Sequence, residues 1–335
     1  MQKILVIRFS SIGDIVLTAT ALALLKAALP QSEIHYLTKK PFKTLVANHP
    51  AVHTVHTLDE KSLSETLRAL KSENFDYILD LHHNLRSYQT LITLKKPFSI
   101  SPKLRFQLFL FLKMRLKNRY IPHVSLRHYQ TAWKCVHYFR PELNPADFSP
   151  SLSFTIPDFV KTSSNLTHFP LDQAYSVVLG ATYATKKWLP AYFVELINAL
   201  GLPVILLGGN SEKEEASRIA HELTVPYYNA TENHTLMQSA ALMAQTRFVL
   251  THDTGFMHIA SALQMKILSL WGSTSPALGF GVFQNDRHFT LEIKELSCHP
   301  CAKIGLKECP KQHFACMKHL TPEIVIQKLK EIEFV

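Results

Sequence analysis

The chain has 335 residues, is 47% hydrophobic and 19% charged, and carries a formal net charge of +10. That length predicts two domains of about 150 residues, and the apolar content excludes a disordered chain. Five cysteines do not make a disulfide-stapled secreted module, and no stretch reaches the ~20 apolar residues that span a bilayer.

Residues 4–9 are a continuous apolar run of strand length, and 14–29 read as a helix that Pro30 stops. The apolar part of that helix imitates a signal segment. Asp14 at its front, Lys26 within it and the strand before it argue instead for a buried helix and a cytoplasmic protein. Residues 34–37 and 77–81 read as strands, and the capping box Ser62-x-x-Glu65 opens a helix. Helical stretches follow at 104–119 and 125–139. Residues 156–173, with two prolines and many polar side chains, read as a linker. Strands are then predicted at 175–179, 203–207, 248–251 and 267–271, and helices at 190–200, 211–222 and 256–263. A last helix starts at Thr321-Pro322-Glu323, with Thr as N-cap and Pro in the first turn.

Strand–helix alternation in both halves implies an α/β protein with two Rossmann-like, doubly wound parallel sheets, in domains 1–155 and 174–335. Ligands of such sheets lie outside the carboxyl ends of the strands, here in a cleft between the domains. Three polar loops fall at those ends. SSIGD, residues 10–14, offers hydroxyls and the Asp14 carboxylate, either as a helix cap or as a catalytic group. With one glycine it lacks the Gly-x-Gly-x-x-Gly of a dinucleotide site. Residues 180–190, GATYATKKWLP, place threonines and lysines before a helix, as a solvated basic loop or a phosphate site. Residues 250–258 turn at Asp253-Thr254-Gly255, where glycine permits close backbone approach to a ligand.

From Leu81 to Pro141 there is no Asp or Glu, against twelve Lys and Arg. A field of one sign attracts anions. Within it, KLRFQLFLFLKMRLKNR mixes aromatic and basic residues, either packed in a core or laid against an anionic leaflet.

Three motifs carry a family resemblance: SSIGD, Lys186-x-Trp188, and Asp253-Thr-Gly-x-x-His258-Ile-Ala-x-Ala-Leu263 running on into ILSLWGSTSP. In their order and content the chain resembles glycosyltransferase family 9, the bacterial heptosyltransferases of lipopolysaccharide core assembly, with the GT-B fold. The resemblance implies that the N-terminal domain binds the acceptor and the C-terminal domain a nucleotide-sugar, ADP-heptose. Asp14 matches the catalytic base and Lys186 the lysine that stabilises the departing diphosphate. Ser11, Gly13, Thr182, Asp253, Thr254, Gly255 and His258 match donor-binding positions, and Glu212 or Glu214 the ribose carboxylate. His82, Arg86, Lys103 and Arg105 are expected at an anionic, lipid-linked saccharide acceptor, with peripheral contact to the inner leaflet. No cofactor is expected for catalysis, since no Asp-x-Asp pair offers a magnesium site. RNA-binding signatures are missing, which argues against nucleic acid. The alternatives are another sugar, a protein acceptor, or a non-catalytic nucleotide- or nucleic-acid-binding protein.

Cys298, Cys301, Cys309 and Cys316 fall within nineteen residues. Their density suggests a structural zinc site, or by the resemblance an iron site; the alternatives are four reduced thiols or two disulfides formed on oxidation. Cys135 stands apart and reads as a helix core residue.

Overall fold

The computed structural model describes residues 1–58, 63–163, 166 and 168–335. Ser62, the expected helix cap, lies outside them. The chain forms two compact units, residues 1–105 with 122–155, and residues 106–121 with 156–335. Segment 106–121, expected in the first domain, therefore groups with the second, and the expected linker contains a helix, Asp158–Ser163.

The first unit holds five parallel strands: β1 (Lys3–Ile7), β2 (Glu33–Lys39), β3 (Val52–Leu58), β4 (Tyr77–Asp80) and β5 (Phe98–Ile100). Their spatial order is β3-β2-β1-β4-β5. Ile4, Leu5, Val6 and Ile7 are all fully buried. A central parallel strand is covered on both faces, which is why its sequence shows an apolar run and no alternation. The predicted helix 14–29 divides into Ile12–Val16 and Ala19–Ala28. At the break the buried Thr18 hydroxyl donates to the Ile15 carbonyl at 2.7 Å and meets the Tyr36 hydroxyl at 3.0 Å. The predicted helix 104–119 is shorter, Arg105–Leu112.

The second unit holds β6 (Tyr175–Val178), β7 (Val204–Leu207), β8 (Tyr227–Asn229), β9 (Val249–His252), β10 (Ile267–Trp271) and β11 (His288–Glu292), again all parallel. Their order is β11-β10-β9-β6-β7-β8. The helix Pro190–Leu200 starts on its proline and ends at Gly201, whose φ of +65° closes the last turn. Both sheets thus reverse strand order at an interior pair, β1/β4 in one and β6/β9 in the other. Loops after such a pair diverge and leave a crevice.

Trp188 anchors the second core. Its ring is 2% exposed, packs edge-on against Phe193, and donates from Nε1 to the Leu320 carbonyl at 2.7 Å. Trp188→Phe removes that donor and leaves a buried carbonyl unpaired, at a cost of about 1–3 kcal/mol. The expected outcome is a lower urea midpoint of unfolding with an unchanged denaturant slope.

Candidate active site

In the first unit, the loops after β1 and β4 are tied together by Arg8. Its Nε donates to the Ser10 carbonyl at 2.8 Å and its Nη1 to the Leu81 carbonyl at 2.5 Å. Its Nη2 stands 2.6 Å from Asp14 Oδ1. Asp14 lies in the first turn of the helix Ile12–Val16, and its other oxygen accepts from the Ser11 hydroxyl at 2.8 Å and the Ser11 amide at 3.2 Å. The contacts that satisfy the helix start also fix the orientation of Asp14, whose side chain is still 24% exposed. Ser11, expected at the donor, directs both its donors to Asp14. Gly13 is buried within the short helix.

Beneath this loop pair sits Asp80, fully buried at the end of β4. Its Oδ1 accepts from the amides of His82 and His83 at 2.9 and 2.7 Å, and its Oδ2 from the Ser87 hydroxyl at 2.6 Å. It shapes the turn that carries His82 and His83. His82 packs 4.9 Å from the Phe9 ring. Burial, with Arg8 and Lys103 nearby, pushes its pKa down to about 3, so it is a neutral imidazole. The buried guanidinium of Arg127, which donates to the Pro102 carbonyl at 2.7 Å, adds a further positive charge to this region.

His83 leads to a separate feature, a cavity of about 560 Å³ lined by His83, Asn84, Tyr88, Lys103, Leu104 and Arg105 among others. The His83 ring bridges the Ser101 carbonyl, 3.0 Å from Nδ1, and the Tyr88 hydroxyl, 2.8 Å from Nε2. Burial and the neighbouring Arg105 and Arg8 lower the pKa of Lys103. Of the four expected acceptor residues, Lys103 and Arg105 line this cavity. His82 and Arg86 do not; Arg86 is half-buried in the first turn of the helix Leu85–Leu94.

In the second unit, Lys186 Nζ stands 2.7 Å from Asp253 Oδ2, both side chains being nearly buried. The same carboxylate oxygen accepts from the Thr274 hydroxyl at 2.8 Å. This pair joins the loop after β6 to the loop after β9. Thr254 then caps the helix Gly255–Ala262 with extended backbone and no side-chain cap bond. The first amides of that helix have no intrahelical acceptor, and with the helix dipole they favour an anion. Thr182 is exposed on the β6 loop. His258 is 5% exposed, so it underlies the loop rather than presenting its ring to solvent.

Glu212, also nearly buried, accepts from the Gly209 amide at 3.0 Å and the Ser211 hydroxyl at 2.9 Å, and stands 3.0 Å from Lys187 Nζ. Burial works against its charge, but these three partners outweigh that and hold its carboxyl below the usual range. A Cβ at Gly180 would stand 2.6 Å from the Glu212 carboxyl carbon, so a side chain there would displace that carboxylate from its partners. Glu214 lies in the exposed first turn of the helix Lys213–His221.

The cysteine-rich segment acts on the β6 loop through its backbone. Leu306 donates its amide to Thr185 Oγ1 at 2.8 Å, and its carbonyl accepts from the Thr185 amide at 3.2 Å. Gly305, with φ +99°, lies so close that a Cβ there would stand 2.7 Å from Tyr183 Cβ and 3.0 Å from Lys186 Cδ. All four cysteines are free thiols. Burial and the neighbouring thiols raise the pKa of Cys301, and push that of Cys316 up to about 12. No three of these sulfurs come within 4.8 Å of one another, yet Cys301 feels Cys298 and Cys309, and Cys316 feels all three others, so the four thiols share one neighbourhood.

Sequence reasoning gave no role to Arg8, Asp80 or Arg127. Arg8 had a legible signal, a charged residue at the end of an otherwise apolar strand.

A family model described as glycosyltransferase family 9 (heptosyltransferase) matches residues 64–311. Lipopolysaccharide heptosyltransferase 1 of Pseudomonas aeruginosa is 28% identical, over 93% of this chain and 88% of that protein. The crystal structure of a family 9 glycosyltransferase from Veillonella parvula superposes with a TM-score of 0.79 at 19% identity, covering 99% of this chain and 97% of that one. The Escherichia coli heptosyltransferase WaaC, solved with ADP, gives a TM-score of 0.70 at 21% identity, covering 99% of this chain and all of that one. The two parallel sheets are those of the GT-B fold, and with residues 64–311 matched this chain belongs to glycosyltransferase family 9, the heptosyltransferases.

Proposed function

We propose that this enzyme transfers heptose, with inversion, from ADP-heptose to an anionic lipid-linked saccharide of the lipopolysaccharide inner core. The observation that carries this reading is the Lys186–Asp253 pair at 2.7 Å, set beside the amides that open the helix Gly255–Ala262. A lysine and free amides at a strand-order reversal suit a diphosphate. The relatives named above are a lipopolysaccharide heptosyltransferase and a heptosyltransferase solved with ADP.

In the proposed reaction an acceptor hydroxyl oxygen attacks the anomeric carbon of the donor, and its proton passes to the Asp14 carboxylate. The bond from that carbon to the diphosphate oxygen breaks, and its electron pair leaves with ADP. Lys186 and the helix amides stabilise the growing charge, the part a divalent metal fills in other transferases. Asp253 orients Lys186 and meets the donor sugar, with Thr182, Thr254 and Gly255 at the diphosphate. Glu212, pre-ordered by Gly209, Ser211 and Lys187, receives the ribose hydroxyls. Ser11, Gly13 and His258 support these groups as positioning residues. The cavity beside Lys103 and Arg105, flanked by Arg86 and His82, receives the anionic acceptor.

We also place the enzyme at the inner face of the cytoplasmic membrane. Among the described residues no helix is long and apolar enough to cross a membrane. The helix Arg105–Leu112 instead buries Leu108 and Phe111 and leaves Phe106 and Phe109 exposed, with Met114 and Leu116 exposed beyond it. Exposed apolar side chains among basic ones suit peripheral contact with anionic lipid.

Asp14→Asn keeps the size of the side chain but removes the proton acceptor. It should lower kcat by roughly 10²–10⁴-fold while leaving ADP affinity nearly unchanged, read by ADP release and calorimetry. An unchanged rate would reduce Asp14 to a helix cap. Lys186→Ala should lower kcat by about 10²–10³-fold and weaken ADP binding as well; retention of both would remove its leaving-group role. Phe106→Ala with Phe109→Ala should lower co-sedimentation with phosphatidylglycerol vesicles without changing ADP affinity. Equal recovery of the double variant and the parent with the vesicles would exclude this helix as the contact.

A further inference from the structure

At the amino-terminal end of the first sheet, away from the loops described above, three side chains converge. His35 on β2, His56 on β3 and Glu73 before β4 place one ligand atom each within 4.8 Å of one another, and among the described residues they form the one such group. We propose that they form a binding site for a divalent transition-metal cation of the zinc or cobalt class, distinct from the transferase site.

Four observations support it. His35 is 3% exposed, and its Nδ1 meets His56 Nε2 at 2.8 Å. Two nitrogens held ~2.0–2.1 Å from a tetrahedral zinc are about 3.3 Å apart, so a small rotation of the half-buried His56 ring admits the ion. Second, the other ring nitrogen of His35, Nε2, is buried without a hydrogen-bond partner, and Glu33 Oε2 lies 3.9 Å from it. A carboxylate behind a ligating imidazole is the arrangement that orients histidine on a metal. Third, the strand register slips between Ile34 and His35, where Ile34 pairs with Val52 and His35 with Thr54. The bulge falls at His53 and brings its ring within 5.8 Å of His35, although strand alternation would send it to the opposite face. His53 thus stands beside the group, outside the three whose ligand atoms converge. Fourth, the charge balance calls for a cation: Lys3 Nζ stands 3.3 Å from Glu73 and 3.8 Å from Glu33. Its flexible, one-third exposed side chain is free to exchange with a divalent ion.

Burial and mutual repulsion lower the pKa of His35, and burial lowers that of His56. Phe75 packs edge-on against both rings and limits the wet side of the site. A bound ion would clasp β2, β3 and the segment leading into β4.

The test is titration of the reduced, full-length protein with cobalt(II) chloride. The nitrogen–oxygen site should give visible ligand-field absorption, saturating at one equivalent, without the near-ultraviolet charge-transfer band of a cobalt thiolate. His35→Gln and His56→Ala should each weaken this binding by at least about tenfold, and cobalt should raise the Tm of the parent but not of the variants. If His35→Gln fails to fold, the more exposed Glu73→Gln substitution carries the same comparison. No binding, a spectrum carrying only the thiolate band, or equal affinity in the variants would overturn the proposal.

Discussion

Lys186 and Asp253 meet because β6 and β9 are neighbours in space but not in sequence, and the chain leaves them in diverging directions. The crevice at that reversal would fill with water if nothing bridged it. A bridging ion pair in a nearly buried setting is expensive to desolvate, and apolar replacements are often at least as stable. The first sheet solves the same problem with a different cation. Arg8 reaches from the end of β1 to the Leu81 carbonyl after β4 and to Asp14, so one guanidinium spans the reversal and orients the carboxylate.

This arrangement gives each loop two tasks that cannot be separated. Asp14 satisfies the start of a short helix through Ser11 and remains partly exposed, with its other oxygen on Arg8. Glu212 stabilises its own turn through Gly209 and keeps one oxygen on Lys187. Groups preordered in this way need little reorganisation when a substrate arrives, which is the main advantage of a fixed polar site over water.

How much of this was legible in the sequence follows from the same physics. The central strands were readable because burial on both faces writes itself as apolar runs, as in residues 4–7 and 267–271. The half-exposed β3, VHTVHTL, was not, because its side chains carry no clear polarity contrast. The three-residue strands β5 and β8 were too short to register against their surroundings. Asp14, Lys186 and Asp253 were visible as polar breaks after apolar strands. Asp80 was not, since a carboxylate that serves backbone amides a few residues away looks in sequence like the end of a strand. The cysteine cluster shows the limit of spacing arguments: the segment that carries the four thiols also serves the neighbouring loop through its backbone, a task that cysteine spacing does not announce. The His35 group escaped notice for the converse reason, its members being spread over 39 positions and brought together by strand register and a bulge.

Gly305 illustrates a different kind of constraint. It bears no functional group and sits in an irregular tail segment, where sequence drift is ordinarily cheap. Yet there is no room for even a methyl group between it and the chain that carries Lys186. Mutational tolerance in this protein will therefore not follow chemistry alone. An inert position in the tail is as closely tied to the placement of Lys186 as that lysine's own charged partner.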